Sequence, residues 1–199
     1  MAMITIRQER STDIPARERL LDAADQLFYG EGVRTVGIDR VIAQAGVAKA
    51  SLYNTFGSKD ELIRAYLERR HERWTERMTR RLAADYDTPR DRLVGVFDLL
   101  GESFVAPAFN GCHFANASAE ATPGSPVVEA TDSFRLDRRT LVTELARDAG
   151  AADADLLARN LTLVLDGATV AARLDRDPAG VAADARAVAV TMIDAAITG

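Results

Sequence analysis

The chain has 199 residues, of which 47% are hydrophobic and 28% are charged, and its net charge is −5. This length allows one large or two small domains, and the acidic balance argues against a protein that coats nucleic acid nonspecifically. No apolar run approaches the ~20 residues of a membrane span, and no secretory signal is apparent. Because the single cysteine, Cys112, cannot form an internal disulfide, we expect a cytoplasmic protein.

The N-terminal region predicts a polar arm followed by a helix. Residues 1–14 are mostly polar and are expected to form a mobile arm. Pro15 suits the first turn of a helix. Apolar residues then recur at helical spacing and stop at Gly30 and Gly32, which predicts the first helix over residues 15–30.

Residues 34–59, RTVGIDRVIAQAGVAKASLYNTFGSK, predict a helix–turn–helix. The apolar spacing indicates one helix over residues 38–45 and a second over residues 48–56. Gly46 lies between them, where the end of a helix often needs a left-handed backbone. An alternative interpretation is a helical hairpin in an ordinary bundle.

The second of these helices is expected to bury Leu52 and Phe56 and to point short polar groups outward. Such a face can enter the major groove and contact base edges. We therefore expect base-edge or close backbone contacts from Ala50, Ser51, Tyr53, Asn54 and Thr55.

Basic residues surround this face, since four of them stand against Asp39 alone in residues 34–59. Phosphate contacts are expected mainly from Lys49 and Lys59, with Arg34 and Arg40 as weaker candidates. Thr35 is expected to help anchor the start of the first helix of the motif.

The segment TVGIDRVIAQAGVAKASLYNTFGSKDEL resembles the DNA-binding signature of the TetR-type transcriptional repressors, and the resemblance covers residues 15–62. It implies an all-helical dimer with an N-terminal three-helix DNA-binding domain and a C-terminal domain for ligand binding and dimerisation. The expected division is residues 1–58 and residues 59–199. In most members a small molecule that enters the C-terminal domain releases the operator.

A long helix is predicted to follow the helix–turn–helix of residues 34–59, which we call the reading head. Ser58 can act as its N-cap, with Glu61 completing a capping box. No Gly or Pro occurs after Gly57 until Pro89, so the helix is predicted over residues 59–84, about 40 Å at 1.5 Å per residue. It is expected to link the two domains mechanically.

The remaining sequence divides into five further helices and completes an all-α prediction. They are predicted at about residues 89–105, 112–121, 127–149, 155–174 and 178–197. The last two carry apolar stripes, which predict pairing with a second copy in a four-helix dimer interface, as in the family. A simple monomer core is the alternative. The stripe residues are Leu161, Leu165, Ala168 and Ala172, and then Val181, Ala185, Val188, Ala189 and Met192.

A ligand pocket is predicted inside the second domain. Its apolar lining is expected from Trp74, Met78, Phe97, Phe104 and Phe134. Mixed polar and aromatic contacts are expected from Cys112, His113, Phe114 and Asn116, with Asp166 as a further polar contact. Plain core packing is an alternative for the segment around Cys112, and a thiol sensor is another. Asp166 is alternatively expected to pair with an arginine, such as Arg135 or Arg138, or to cross the dimer interface.

No metal site, cofactor site or catalytic grouping is expected. Adjacent residues on a helix point about 100° apart, so Cys112 and His113 cannot easily share a metal or form a thiolate–imidazole pair. The sequence therefore predicts a dimeric, ligand-responsive repressor that is not an enzyme. Its partners would be an inverted-repeat DNA operator and a small-molecule effector. The alternative is a helical ligand-binding or partner-binding protein without sequence-specific DNA binding.

Overall fold

The computed structural model of the protein describes residues 14–197, which form nine α-helices and no strand. This confirms the all-α prediction, and each helix begins and ends within one residue of its predicted position. The arm expected at residues 1–14 lies outside the described residues except for Ile14. The helices are α1 Ala16–Glu31, α2 Ile38–Ala45, α3 Lys49–Phe56, α4 Lys59–Asp85, α5 Pro89–Phe104, α6 His113–Glu120, α7 Pro126–Asp148, α8 Ala154–Leu174 and α9 Pro178–Ile197.

The helices belong to two compact units, of which the first ends at Tyr66 and the second begins at Leu67. Helix α4 is shared, because residues 59–66 belong to the first unit and residues 67–85 to the second. No helix between residues 14 and 197 has both the length and the apolar composition that crossing a bilayer requires.

The first unit is built on the apolar faces of α1, α2, α3 and the beginning of α4. Tyr66 is almost completely buried, and its ring packs edge-on against Phe28 with 5.9 Å between ring centroids. The other fully buried large side chains of this unit are Leu20, Leu21, Val36, Val41, Leu52 and Leu62. Because Leu52 fixes the inner side of α3, the opposite side of that helix is left to solvent.

The second unit has one continuous core in which α5 and α8 both pack on α9, and α7 packs on α8. Its large buried side chains include Leu93, Phe97, Leu99, Leu161 and Ile193. At the surface, Arg77 and Arg81 of α4 bind the Glu102 carboxylate of α5 at 2.8 and 2.9 Å. Helix α4 is thus joined to α5 by charge as well as by packing.

The α4–α5 connection is closed by the Tyr86 ring, which lies against the backbone of α5 at Gly95. A Cβ atom at Gly95 would lie 2.6 Å from that ring, so only glycine allows this packing. The Tyr86 hydroxyl donates to Asp98 Oδ2 at 3.2 Å. Burial, and then the Asp98 charge, raise the pKa of Tyr86 to about 12.

Helix α8 is apolar on two faces, and the predicted stripe occupies the inner one. Leu161, Leu165, Ala168 and Ala172 are all buried in the core of the chain itself, as are Ala185 and Ala189 of α9. The assignment of these six residues to a partner subunit is therefore corrected. Val188 of the α9 stripe is 47% exposed, and its place in a dimer interface stays a prediction. The sequence period reveals an apolar face but not which neighbour covers it. The exposed face of α8 carries Leu156, Leu163, Val170 and Leu174, whose exposed fractions are 46%, 71%, 57% and 75%.

Candidate nucleic-acid interface

The turn between α2 and α3 has the conformation that the sequence predicts. Gly46 adopts φ 61° and ψ 42°, in the left-handed region, and the Val47 N–H donates to the Ile42 carbonyl at 3.3 Å. Arg19 of α1 donates to the carbonyls of Ala45 and Gly46 at 3.3 and 3.0 Å. The end of α2 is thereby held on α1, and α3 begins three residues after Gly46.

The outer face of α3 is exposed and chemically varied. Lys49, Ala50, Tyr53, Asn54 and Thr55 are exposed, and Ser51 is half-buried. Thr55 Oγ1 donates to the Ser51 carbonyl at 2.6 Å, which leaves its lone pairs available to a donor. The Asn54 amide makes no hydrogen bond within residues 14–197, so it can still form the paired contact that Asn makes with adenine.

Two of the predicted phosphate-binding cations already have carboxylate partners. Lys49 Nζ lies 2.9 Å from Asp39 Oδ1 of α2, and this hydrogen bond and the Asp39 charge raise the pKa of Lys49. Arg40 makes two hydrogen bonds to Glu31 at the end of α1, one of them 2.8 Å long. Sequence reasoning missed both pairs, although Asp39 stood out as the one acid among the basic residues of the motif.

The remaining predicted contacts lie at the edges of this unit. Arg34 and Thr35 are exposed in the connection between α1 and α2, and Lys59 is half-buried in the first turn of α4. The Glu61 N–H donates to Ser58 Oγ at 3.1 Å, which confirms Ser58 as the N-cap. The Glu61 carboxylate accepts from Arg64 at 2.7 Å, so the expected capping box is only half formed.

The predicted ligand-binding residues fall into separate groups in the second unit. Phe104 packs against Phe109 with 5.2 Å between ring centroids, and Met78 and Phe97 are buried in the core. Cys112 is a half-buried free thiol at the N-cap of α6. Burial, assisted by the charge of Arg70, lowers the pKa of the adjacent His113 to about 3.

Two of the polar residues predicted to contact ligand are engaged by internal partners. Asn116 donates to the Asn110 carbonyl at 2.8 Å and accepts from Arg173 at 2.9 Å. Asp166 accepts from Arg138 at 2.7 Å, which selects Arg138 rather than Arg135 as its arginine. These contacts join α6 to α8 and α7 to α8.

An aromatic cluster brings Trp74, Phe114 and Phe134, all predicted to line the pocket, together with His71, which sequence reasoning missed. Phe134 stacks on Phe114 with 3.7 Å between centroids, and the rings of His71 and Trp74 meet it edge-on at 5.4 and 5.2 Å. The Arg138 guanidinium lies over the Phe134 ring, 5.5 Å from its centroid. Helical spacing could not reveal this cluster, because its members come from α4, α6 and α7.

An open groove of about 740 Å³ runs along the outer side of α4. It is lined by His71, Glu72, Thr75, Glu76, Thr79 and Arg80, and by Asp137 of α7. His71 belongs both to this groove and to the aromatic cluster, and it lies 3.2 Å from Asp137. None of the groove residues was among the predicted ligand contacts.

The fold and this site define a helical protein with a helix–turn–helix reading head. The profile of the bacterial regulatory proteins, tetR family, matches residues 20–66. The solved structure of a TetR-family transcriptional regulator from Streptomyces coelicolor is 34% identical, with a TM-score of 0.85 over 91% of this chain and 95% of that chain. The chain belongs to the TetR family of transcriptional regulators.

Two shorter matches connect the chain with one transcriptional repressor and one transcriptional activator. It is 30% identical over 112 residues to the transcriptional repressor NemR of Escherichia coli, and the match covers 56% of each chain. It is 41% identical over 63 residues to the transcriptional activator FasR of Mycolicibacterium smegmatis, over 30% of this chain and 29% of that one. Because the chain spans only about half of NemR and less of FasR, these matches do not transfer either protein's own activity.

Proposed function

We propose that the protein is a DNA-binding transcriptional repressor that recognises an inverted-repeat operator and leaves it when a small molecule binds. The observation that carries the proposal is the exposed outer face of α3, displayed by the Gly46 turn. It combines groups that read base edges with nearby cations that can hold phosphates. The similarity to NemR favours a repressor.

Dimerisation is supported by the exposed face of α8. Leu156, Leu163, Val170 and Leu174 are separated by seven, seven and four residues, which places them along one side of the helix. A row of large exposed apolar side chains marks an interaction surface. Two copies joined by a two-fold axis would present two reading heads to the two halves of an inverted repeat.

Effector control is supported by the second unit and by the helix that the two units share. The aromatic cluster around Phe134 and the groove beside His71 offer apolar and polar groups to a small molecule. A ligand acts by binding one of two conformations more tightly than the other. Helix α4 continues from these residues back to Lys59 and is the element proposed to carry the change.

We assign the protein to the cytoplasm, where its operator would lie, and give it no catalytic role. Its relatives are transcriptional regulators, a family without enzymatic activity.

Selection of bound duplexes from a random DNA pool tests the proposal. The parent protein should enrich an inverted repeat. Asn54→Ala should change the preferred base at one position in each half-site, at a cost of ~1–3 kcal/mol for the parent motif. Glu144→Ala, at an exposed position of α7, is the control and should return the parent motif.

The outcomes of this selection separate the alternatives. A pool without any enriched motif would reject sequence-specific binding and favour a helical ligand-binding or partner-binding protein. An inverted repeat that is identical for Asn54→Ala and parent would retain the regulator but remove Asn54 from base reading.

A further inference from the structure

The cation at the start of α3 lies beside a carboxylate that would compete with DNA phosphate for it. Lys49 is the first residue of α3 and Asp39 is the second residue of α2, and their charged groups lie 2.9 Å apart. The side chains are 60% and 79% exposed, so both charges face the solvent that DNA would replace. Phosphate and the Asp39 carboxylate would therefore compete for one ammonium group.

Asp39 is poorly placed to act as a rigid support for Lys49. Within residues 14–197 its carboxylate has no bonded partner other than Lys49, so nothing else fixes its position. By contrast, Arg40 and Glu31 make two parallel bonds that tie α2 to α1, an arrangement suited to holding the helices together. An exposed single-bonded pair such as Lys49–Asp39 is weak and exchanges readily.

From this geometry we infer that Asp39 is an affinity-setting residue, whose carboxylate competes with DNA phosphate for Lys49 and weakens binding to all DNA sequences alike. The inference rests on the proposed function, since it requires that the outer face of α3 meets DNA. Phosphates are the same at every site, so the competition lowers affinity without altering base preference. It would restrain nonspecific binding by a reading head that is otherwise basic.

Fluorescence anisotropy with the selected operator and with a scrambled duplex of equal length tests this. Asp39→Asn should tighten both dissociation constants by about two- to fivefold at ~0.1 M salt, the range that an exposed ion pair supports. It should leave their ratio unchanged. The control is Asp60→Asn, because Asp60 is also an exposed acid at the second position of a helix in the same unit.

A double-mutant cycle assigns the effect to the pair. In a Lys49→Gln background, Asp39→Asn should give no more tightening than Asp60→Asn gives in the parent. The inference is overturned if Asp39→Asn binds as tightly as the parent or more weakly, which would make Asp39 a support for Lys49. It is also overturned if the gain persists without Lys49. A parent protein that binds neither duplex overturns the proposed function itself, and the inference with it.

Discussion

At the scale of single residues, burial changes the proton affinity of one histidine. His113 is half-buried at the start of α6 and lies close enough to Arg70 to feel its charge. The pKa of His113 falls from its ordinary value of 6.5 to about 3 for this reason. The folded protein therefore keeps His113 neutral at pH values where the unfolded chain would protonate it.

Protonation of His113 in the unfolded chain makes the stability of the protein depend on pH. Between about pH 6.5 and pH 3 the unfolded state binds a proton that the folded state does not, so stability is complete above this window and is lost as the pH falls. We expect His113→Gln to flatten this decline by at most ~1.4 kcal/mol per pH unit between pH 6 and pH 5. Urea unfolding at a fixed protein concentration measures it. Equal slopes in parent and variant would show that His113 titrates normally.

The exposure of a side chain can be predicted from the sequence where it depends only on neighbours along the chain. The exposed set on α3 follows from helical spacing once Leu52 is placed inside. The Lys49–Asp39 pair does not follow, because it spans ten residues across a turn and depends on how α2 and α3 cross. The role of Asn54 in base reading remains a prediction.

At the scale of elements, the glycine between α2 and α3 should be a backbone position where any side chain destabilises the motif. Gly46→Ala forces an L side chain into the left-handed region, which should cost about 1 kcal/mol of unfolding free energy. A Cβ there would meet only the Arg19 side chain at 3.7 Å, so the cost comes from the backbone and not from a clash.

Gly30 supplies the control for this substitution. It lies in the last turn of α1 without a positive φ, and nothing lies within 4 Å of a Cβ placed there. Because alanine favours a helix more than glycine does, Gly30→Ala should leave stability unchanged or raise it slightly. Urea unfolding followed by circular dichroism compares the two variants, and equal stabilities would contradict the strain assigned to Gly46.

Helix bounds were predictable because the chain marks them with local signals. Pro at a first turn, Ser58 at an N-cap and glycine at a C-cap act within a few residues of the end that they define. The packing of one helix against another has no comparable local signal in the sequence. The aromatic cluster around Phe134 and the burial of Ala168 both depend on which faces meet in space, and sequence reasoning named residues there without their correct partners.

At the scale of the whole molecule, the proposed dimer depends on an apolar row that the chain leaves uncovered. Leu163→Arg in α8 should convert the dimer into a monomer, because it would place an unpaired charge in the interface. Since Leu163 is 71% exposed, the variant should keep its helical content and its monomer core.

Light scattering at micromolar concentration measures the mass of each form. Leu136→Arg in α7 is the matched control, since Leu136 is 64% exposed but lies on a different helix, and it should remain dimeric. A parent protein that runs as a monomer would reject the dimer. A Leu163→Arg variant that stays dimeric would move the interface away from this face of α8.

The exposed apolar row on α8 would also make operator occupancy depend on how much of the protein the cell contains. If two chains must meet before either reads DNA tightly, operator occupancy rises with the square of chain concentration below the dissociation constant of the dimer. A cell that makes a little more of this protein would then tighten control disproportionately. Dilution by growth would relax that control just as steeply, without any effector.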